Sequence, residues 1–94
     1  MNYELEFKAS ALKEWRKLDG TIKEQFKKKL EERLQNPFVE SAKLSGMPDC
    51  YKIKLKASGY RLVYQVQLAR LVVVVVAVGK REGNGVYLTA ADRL

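Results

Sequence analysis

The sequence predicts an α+β fold, in which a small, mostly antiparallel sheet carries an N-terminal helical hairpin on one face. Three observations support this prediction: an opening segment with a two-residue apolar period, two segments with a helical period, and a β-hairpin pattern in the second half. The predicted order is β-α-α-β-β-β, followed by a short helix. At 94 residues the chain has the size of one domain, and we assign residues 1–94 to it.

The first strand and the helical hairpin are predicted from apolar periodicity. Residues 3–7 alternate apolar and charged side chains, which is typical of a half-buried strand. Two amphipathic helices follow, separated at residues 19–20. Thr21 and Glu24 have the spacing of a capping box for the second helix, which we expect to end before Pro37. The apolar positions of the two helices are Ala11, Leu12, Trp15 and Leu18, and then Ile22, Phe26, Leu30 and Leu34.

A β-hairpin is predicted where residues 51–56 and 60–66 flank the turn sequence Ala-Ser-Gly. With a two-residue turn, Lys56 would lie opposite Arg61 and the apolar residues of both strands would share one face. A one-residue slip would move lysines into the core, so the assignment of the faces is well specified. The polar face would then be cationic, with Lys52, Lys54, Lys56 and Arg61.

The apolar run Leu71–Val78 predicts a central strand that is covered on both sides. It is far shorter than the roughly 20 residues of a membrane-spanning helix. Gly83-Asn84-Gly85 predicts a flexible elbow before a short terminal helix at Val86–Leu94. Because the N-terminus lacks the apolar core of a signal peptide and the chain has one cysteine, we expect a cytoplasmic protein without membrane contact.

Positive charge is concentrated in the second half of the chain. From Cys50 to Arg81 there are seven basic residues and no acidic one. Residues 1–49 hold ten Lys or Arg against nine Asp or Glu, whereas residues 50–94 hold eight against two. Since like charges at neighbouring cross-strand positions cost stability, we interpret this segment as a binding surface for a polyanion. An ordinary solvated face is the alternative interpretation.

The residue types restrict the chemistry that this surface could perform. The chain has no histidine and no Cys/His cluster, and its glycine-rich segment lacks the following Lys-Ser/Thr of a phosphate loop. We therefore predict no metal and no cofactor, and we expect Cys50 to be a small buried apolar residue. Arginine can grip phosphate oxygens, tyrosine can stack on a base, and a lysine crowded by other cations gives up its proton more easily.

Several segments together resemble the RelE toxins, the ribosome-dependent mRNA interferases of bacterial toxin–antitoxin pairs. They are Ala-Leu-Lys-Glu-Trp-Arg-Lys-Leu at 11–18, Lys-Leu-Ser-Gly-Met-Pro-Asp-Cys-Tyr-Lys-Ile-Lys-Leu at 43–55, Gly-Tyr-Arg-Leu-Val-Tyr, and Val-Gly-Lys-Arg-Glu with a downstream Val-Tyr. The resemblance covers nearly the whole chain. It implies a compact fold like that of the microbial ribonucleases.

The resemblance implies that the protein cleaves mRNA in the ribosomal A site by attack of a ribose 2′-hydroxyl, which stops translation. The matching positions are Lys52, Lys54, Arg61, Arg81 and Tyr87. The family's roles suggest the two lysines for the nucleophile and proton transfer, Arg61 for the phosphate, Arg81 for the leaving side, and Tyr87 for stacking on a codon base. Which lysine is the base stays open. We add Lys43, Lys56 and Lys80 as contacts to RNA or to the ribosome.

The resemblance also implies partners. They are a RelB-like antitoxin, the ribosome with its rRNA, the mRNA substrate, and operator DNA, the last only indirectly through the antitoxin. Two departures from the family pattern bear on the efficiency of mRNA cleavage. Ser45 stands where arginine is common, and Gly83-Asn84-Gly85 replaces a more charged stretch.

Two alternatives remain open from the sequence. One is a non-catalytic inhibitor of DNA gyrase of the ParE kind on the same scaffold. The other is a plain RNA- or ribosome-binding module.

Overall fold

The computed structural model describes residues 2–80 and 85–94 and contains a four-stranded sheet with helices on both faces. The elements follow the predicted order. They are β1 (Glu4–Phe7), α1 (Ala9–Arg16), α2 (Gly20–Gln35), β2 (Cys50–Leu55), β3 (Tyr60–Gln67), β4 (Val72–Lys80) and α3 (Gly85–Arg93). Single 3₁₀ turns lie at Glu40–Ala42 and Leu68–Arg70.

The sheet is mixed, which corrects the prediction of a mostly antiparallel sheet. Its strand order is β1-β4-β3-β2; β1 pairs with β4 in parallel, and the other two pairings are antiparallel. The helical hairpin acts as a crossover that returns the chain to β2 in the direction of β1. Because β3 and β4 then each reverse direction, β4 runs parallel to β1 and gains it as a second neighbour.

The larger core lies between one face of the sheet and the helical hairpin. Its central side chains are fully buried, among them Phe26 of α2, Leu62 and Tyr64 of β3, and Val75 of β4. The apolar positions predicted for the two helices face this core except for Leu12, which is half-buried outside it. Trp15 contacts the rings of Phe7 and Phe26. The helical hairpin is therefore packed on one face of the sheet, as predicted.

The start of α2 differs from the prediction. Its N-cap is Asp19, whose side-chain oxygen accepts a hydrogen bond from the backbone N–H of Ile22 at 3.0 Å. The helix begins at Gly20, one residue before the predicted cap Thr21, so Thr21 already lies inside the first turn. A carboxylate accepts from the first-turn N–H groups at least as well as a hydroxyl does, and its charge suits the helix N-terminus.

The β2–β3 hairpin keeps the predicted faces but has a different turn and register. Residues 56–59 form a four-residue turn, in which Gly59 has a φ of 77° and donates its N–H to the Leu55 carbonyl at 2.8 Å. This left-handed conformation favours glycine. Lys54 now lies opposite Arg61, in place of the predicted Lys56. The register differs from the predicted one by two residues, so no side chain changes face.

The strand β4 contains a bulge, and both of its faces are buried. Val63 pairs with Ala77 while Tyr64 pairs with Val75, so Val76 is the extra residue. Val75 and Val78 belong to the larger core, whereas Val76 and Ala77 belong to a second, smaller core on the opposite face. The prediction of a central strand covered on both sides is confirmed, since every residue of 72–78 is buried.

Candidate functional site

The second face of the sheet is partly apolar and partly cationic, whereas the sequence predicted a purely cationic face. Cys50, Val63 and Ala77 form its buried part with Val86 and Ala90 of α3, and Tyr87 packs at its border. The helix α3 therefore covers part of this face. The cationic side chains of β2 and β3 continue from the edge of this small core.

Three of the predicted site residues share neighbouring positions on this face. Lys52 and Lys54 alternate along β2, and Arg61 of β3 lies directly opposite Lys54. Lys54 is exposed, whereas Lys52 and Arg61 are half-buried. A cleft of about 180 Å³ lies at the turn end of the β2–β3 hairpin. It is lined by Lys54, Leu55, Lys56, Gly59, Tyr60 and Arg61.

A fourth predicted residue, Tyr87, contacts Arg61 directly. The Nη1 of Arg61 donates a hydrogen bond to the Tyr87 hydroxyl at 3.0 Å, and the guanidinium carbon lies 5.4 Å from the centre of the tyrosine ring. Such a contact orients a cation by its hydrogen bond and by the electron-rich face of the ring. It uses one of the five N–H donors of the arginine, so others can meet a phosphate.

The close approach of α3 to the sheet makes the Arg61–Tyr87 contact possible. Gly79 of β4 pairs with Arg61, and a Cβ added at Gly79 would lie 3.2 Å from the Cγ2 of Val86. A side chain at this position would crowd α3 by a few tenths of an ångström. Glycine thus lets the first turn of α3 lie against β4, which brings Tyr87 over the neighbouring strand.

Of the remaining predicted residues, Lys56 lies near this group, Lys43 and Lys80 lie apart from it, and Arg81 falls outside the described part of the chain. Lys56 lies in the hairpin turn and is exposed. Lys80 ends β4 opposite Tyr60, on the other face of the sheet, and Lys43 is bridged to Tyr51 beside the edge strand β2. Arg81 lies outside the described residues, as do Gly83 and Asn84 of the predicted elbow. Their roles stay predictions.

A groove with further lysines was missed by the sequence analysis. Lys28 and Lys29 of α2 line it together with Lys54 and Lys56, and its volume is about 420 Å³. In the sequence these two residues look like part of an ordinary solvated helix face. Only the packing of α2 against β2 shows that they extend the cationic surface beyond the hairpin.

Arg33 is a second residue that the sequence did not single out. Its Nη1 donates to the Lys52 carbonyl at 3.1 Å and to the Tyr64 hydroxyl at 2.9 Å, and that hydroxyl donates to the Pro37 carbonyl at 2.7 Å. Burial raises the pKa of Tyr64, and the nearby Arg33 opposes this shift. The network ties α2 to the backbone of β2 at Lys52, on the side opposite the cationic residues.

Cys50 is buried in the small core, as predicted. Burial, reinforced by the nearby carboxylate of Asp49, raises the pKa of its thiol to about 11. A thiol with such a pKa is protonated at neutral pH and is a poor nucleophile. We therefore assign Cys50 to packing of the face that carries the site.

The described residues are 2–80 and 85–94. Within these ranges no group of three or more His, Cys, Asp or Glu side chains is placed to hold a metal ion. In the same ranges no helix has the length and apolar character needed to cross a membrane. The cationic group with Tyr87 beside it is suited to binding phosphate and a base.

Comparison with known proteins identifies the family. A sequence model described as the ParE toxin of the type II toxin–antitoxin system parDE matches residues 5–85. The chain is also 60% identical over 94 residues to the mRNA interferase toxin RelE of Escherichia coli (strain K12), covering 100% of this chain and 99% of the relative. The chain belongs to the RelE/ParE toxin family. The resemblance to RelE toxins found in the sequence is thereby confirmed.

Solved structures of RelE/ParE toxins agree with the fold. A free-state E. coli RelE with two arginines replaced by alanine has a TM-score of 0.92 at 58% identity, covering 100% of this chain and 99% of that chain. A chain of the intact E. coli RelBE toxin–antitoxin complex has a TM-score of 0.83 at 62% identity, covering 85% of this chain and 98% of that chain. Both therefore share the overall fold of this chain.

Proposed function

We propose that this protein is the toxin of a type II toxin–antitoxin system and a ribosome-dependent endoribonuclease that cleaves mRNA in the A site. The observation that carries the proposal is the convergence of Lys54, Arg61 and Tyr87 on one face of the sheet. The 60% identity to a protein named mRNA interferase toxin RelE supports it. The site would act without a metal or a cofactor.

The proposed reaction is an in-line displacement at one phosphodiester. The ribose 2′-oxygen loses its proton and bonds to phosphorus, and the bond to the 5′-oxygen breaks as that oxygen takes up a proton. Lys52 or Lys54 would receive the first proton, and Arg61 would stabilise the charge on the non-bridging oxygens. Arg81 would stabilise or protonate the leaving 5′-oxygen, and Tyr87 would stack on a base. The products are a 2′,3′-cyclic phosphate and a 5′-hydroxyl.

Primer extension on programmed ribosomes tests this proposal. We expect a cut within the A-site codon and no comparable cut in the same mRNA without ribosomes. Arg81→Ala should lower the rate by roughly 10²–10³-fold, as expected for the loss of one transition-state donor. Intact mRNA on ribosomes incubated with folded protein would contradict the proposal. An unchanged rate for the Arg81 variant would remove only that residue from the mechanism.

The partners and the compartment follow from the same proposal. A RelB-like antitoxin would bind the toxin and mask the cationic face, and operator DNA would be contacted through the antitoxin. A chain of the E. coli RelBE toxin–antitoxin complex is similar in fold to this one. Ribosome and mRNA are the targets, so we infer that the toxin acts in the cytoplasm. Co-expression with an antitoxin that restores growth would support this pairing.

Inhibition of DNA gyrase is the second candidate function, because the matching family model is described as a ParE toxin. Against it, a relative that covers this chain from end to end is named an mRNA interferase toxin. A supercoiling assay with purified gyrase distinguishes the two. We expect no inhibition at toxin concentrations that cleave ribosome-bound mRNA. Binding to ribosomes without cleavage would instead indicate a plain RNA-binding module.

A further inference from the structure

The edge of β4 next to β1 changes its pairing halfway along the strand. β1 pairs with Val72–Val75 and ends at Phe7, after which the Lys8 N–H donates to the Val75 carbonyl at 3.0 Å. Beyond Val75 the ladder with β1 stops, while β4 itself continues to Lys80. Backbone groups on such an edge need other partners if they are shielded from water.

Two charged side chains take the place of a strand at this edge. The Val78 N–H donates to Oε1 of Glu14 at 3.1 Å, and the Val76 carbonyl accepts from Nη1 of Arg93 at 2.8 Å. Glu14 and Arg93 are also paired with each other, through Nη1 to Oε1 at 2.8 Å and Nη2 to Oε2 at 3.1 Å. Their side chains are 32% and 21% exposed, so the pair is partly shielded from solvent.

This pair joins three elements of the fold. Glu14 belongs to α1, Arg93 is the last residue of α3, and the backbone groups belong to the bulged part of β4. A bidentate arginine–carboxylate pair has a defined geometry, and here each partner is also held by a backbone hydrogen bond. The pair therefore fixes the C-terminal end of α3 on the sheet.

The helix α3 has few other means of attachment among the described residues. It has nine residues, and the buried ones are Val86 and Ala90, both with small side chains. An isolated helix of this length is marginal in water, so its order depends on docking. Tyr87 lies six residues before Arg93, roughly 9 Å along the helix axis. Whatever fixes α3 also fixes the position of Tyr87 beside Arg61.

We propose that Glu14 and Arg93 are positioning residues that hold α3 on β4 and thereby keep Tyr87 against Arg61 in the active site. They act through α3 and do not touch the substrate. This inference rests on the proposed nuclease function for its effect on cleavage, but its effect on α3 can be measured without any activity.

Amide hydrogen exchange in the free toxin tests the structural half of the proposal. In Arg93→Ala we expect at least tenfold faster exchange for amides of α3, with exchange in β3 and the centre of α2 unchanged. Arg70→Ala is the matched control, because it breaks an exposed arginine–glutamate pair with Glu6, away from α3. Exchange in α3 that is the same in wild type and Arg93→Ala would overturn the proposal.

A double-mutant cycle tests the functional half. Arg93→Ala alone should lower single-turnover cleavage on ribosomes by about tenfold, and Glu14→Gln should lower it in the same direction. In a Tyr87→Ala background the further loss from Arg93→Ala should fall to less than twofold, because α3 then has no tyrosine to position. A purely structural role would lower cleavage equally in both backgrounds, and that result would overturn the proposal.

The two tests separate failure of this inference from failure of the proposed function. If wild-type toxin does not cleave ribosome-bound mRNA, the proposed function fails, while hydrogen exchange still reports on the role of Glu14 and Arg93. If wild type cleaves and Arg93→Ala loosens α3 without lowering cleavage, the positioning role is wrong although the nuclease is real.

Discussion

At the scale of single residues, the candidate site is defined by the contact between Arg61 and Tyr87. Sequence alone named both residues but could not say that they touch, because 26 positions separate them. Arg61 reaches the tyrosine through the pairing of β3 with β4 and through the close approach of α3 at Gly79. The hydroxyl of Tyr87 contacts Arg61, whereas the proposed task of its ring is to stack on a base, so the two can be tested separately.

Substitutions at Tyr87 should separate these tasks. Tyr87→Phe removes the acceptor of the Arg61 hydrogen bond but keeps the ring, so we expect a loss in cleavage rate of about tenfold or less. Tyr87→Ala also removes stacking, worth roughly 1–3 kcal/mol per base, and we expect about 10- to 100-fold. Single-turnover rates on programmed ribosomes measure both. Equal losses in the two variants would show that the ring has no role.

The buried thiol of Cys50 makes stability depend on alkaline pH. Its pKa is raised from 9.0 to about 11, so above pH 9 the unfolded chain releases this proton before the folded chain does. The free energy of unfolding should therefore fall as the pH rises from 9 to 11. Urea titrations at pH 8 and pH 10.5 measure this decline, which should be larger in wild type than in Cys50→Ala by about 2 kcal/mol. Parallel declines in the two proteins would contradict the assignment.

At the scale of elements, the sequence predicts the hairpin faces better than the hairpin pairing. Alternation of apolar and basic residues fixes which side chains share a face, and the structure keeps those faces. The turn depends on backbone conformation at Gly59, which alternation does not encode, so the predicted register differs by two residues. The parallel pairing of β1 and the bulge at Val76 also depend on contacts between distant segments and were not predicted.

The two possible caps of α2 can be distinguished by substitution. Asp19→Ala removes a hydrogen bond to the first-turn N–H of Ile22, so we expect the free energy of unfolding to fall by about 1 kcal/mol. Thr21→Ala is the matched control, since Thr21 is exposed inside the first turn, and we expect a change within about 0.5 kcal/mol. Urea unfolding at neutral pH measures both. A larger effect of Thr21→Ala than of Asp19→Ala would support the capping box predicted from the sequence and contradict Asp19 as the N-cap.

At the scale of the whole molecule, the sheet lies between the side chains of the larger core and those of the candidate site. The larger core under α1 and α2 contains the bulky apolar side chains, while α3 and a few small residues cover part of the other face. The sequence predicts the larger core, since the apolar periods of α1, α2 and the hairpin converge on one face, but it does not predict that α3 covers part of the other face. It does not predict that Lys28 and Lys29 lie near the site, because their proximity to Lys54 arises only when α2 packs on β2.

The cationic surface as a whole should govern the salt dependence of ribosome binding. If Lys28 and Lys29 contact rRNA phosphates, replacing both with alanine removes two such contacts. The plot of log affinity against log salt should then become shallower by about 1.5 units. Lys13→Ala with Lys17→Ala is the control, because it removes the same charge from α1 and its C-cap, and α1 packs on β4 away from this groove. Binding to ribosomes at several salt concentrations measures both slopes. If the two double variants change the slope equally, net charge governs binding and the groove has no specific role.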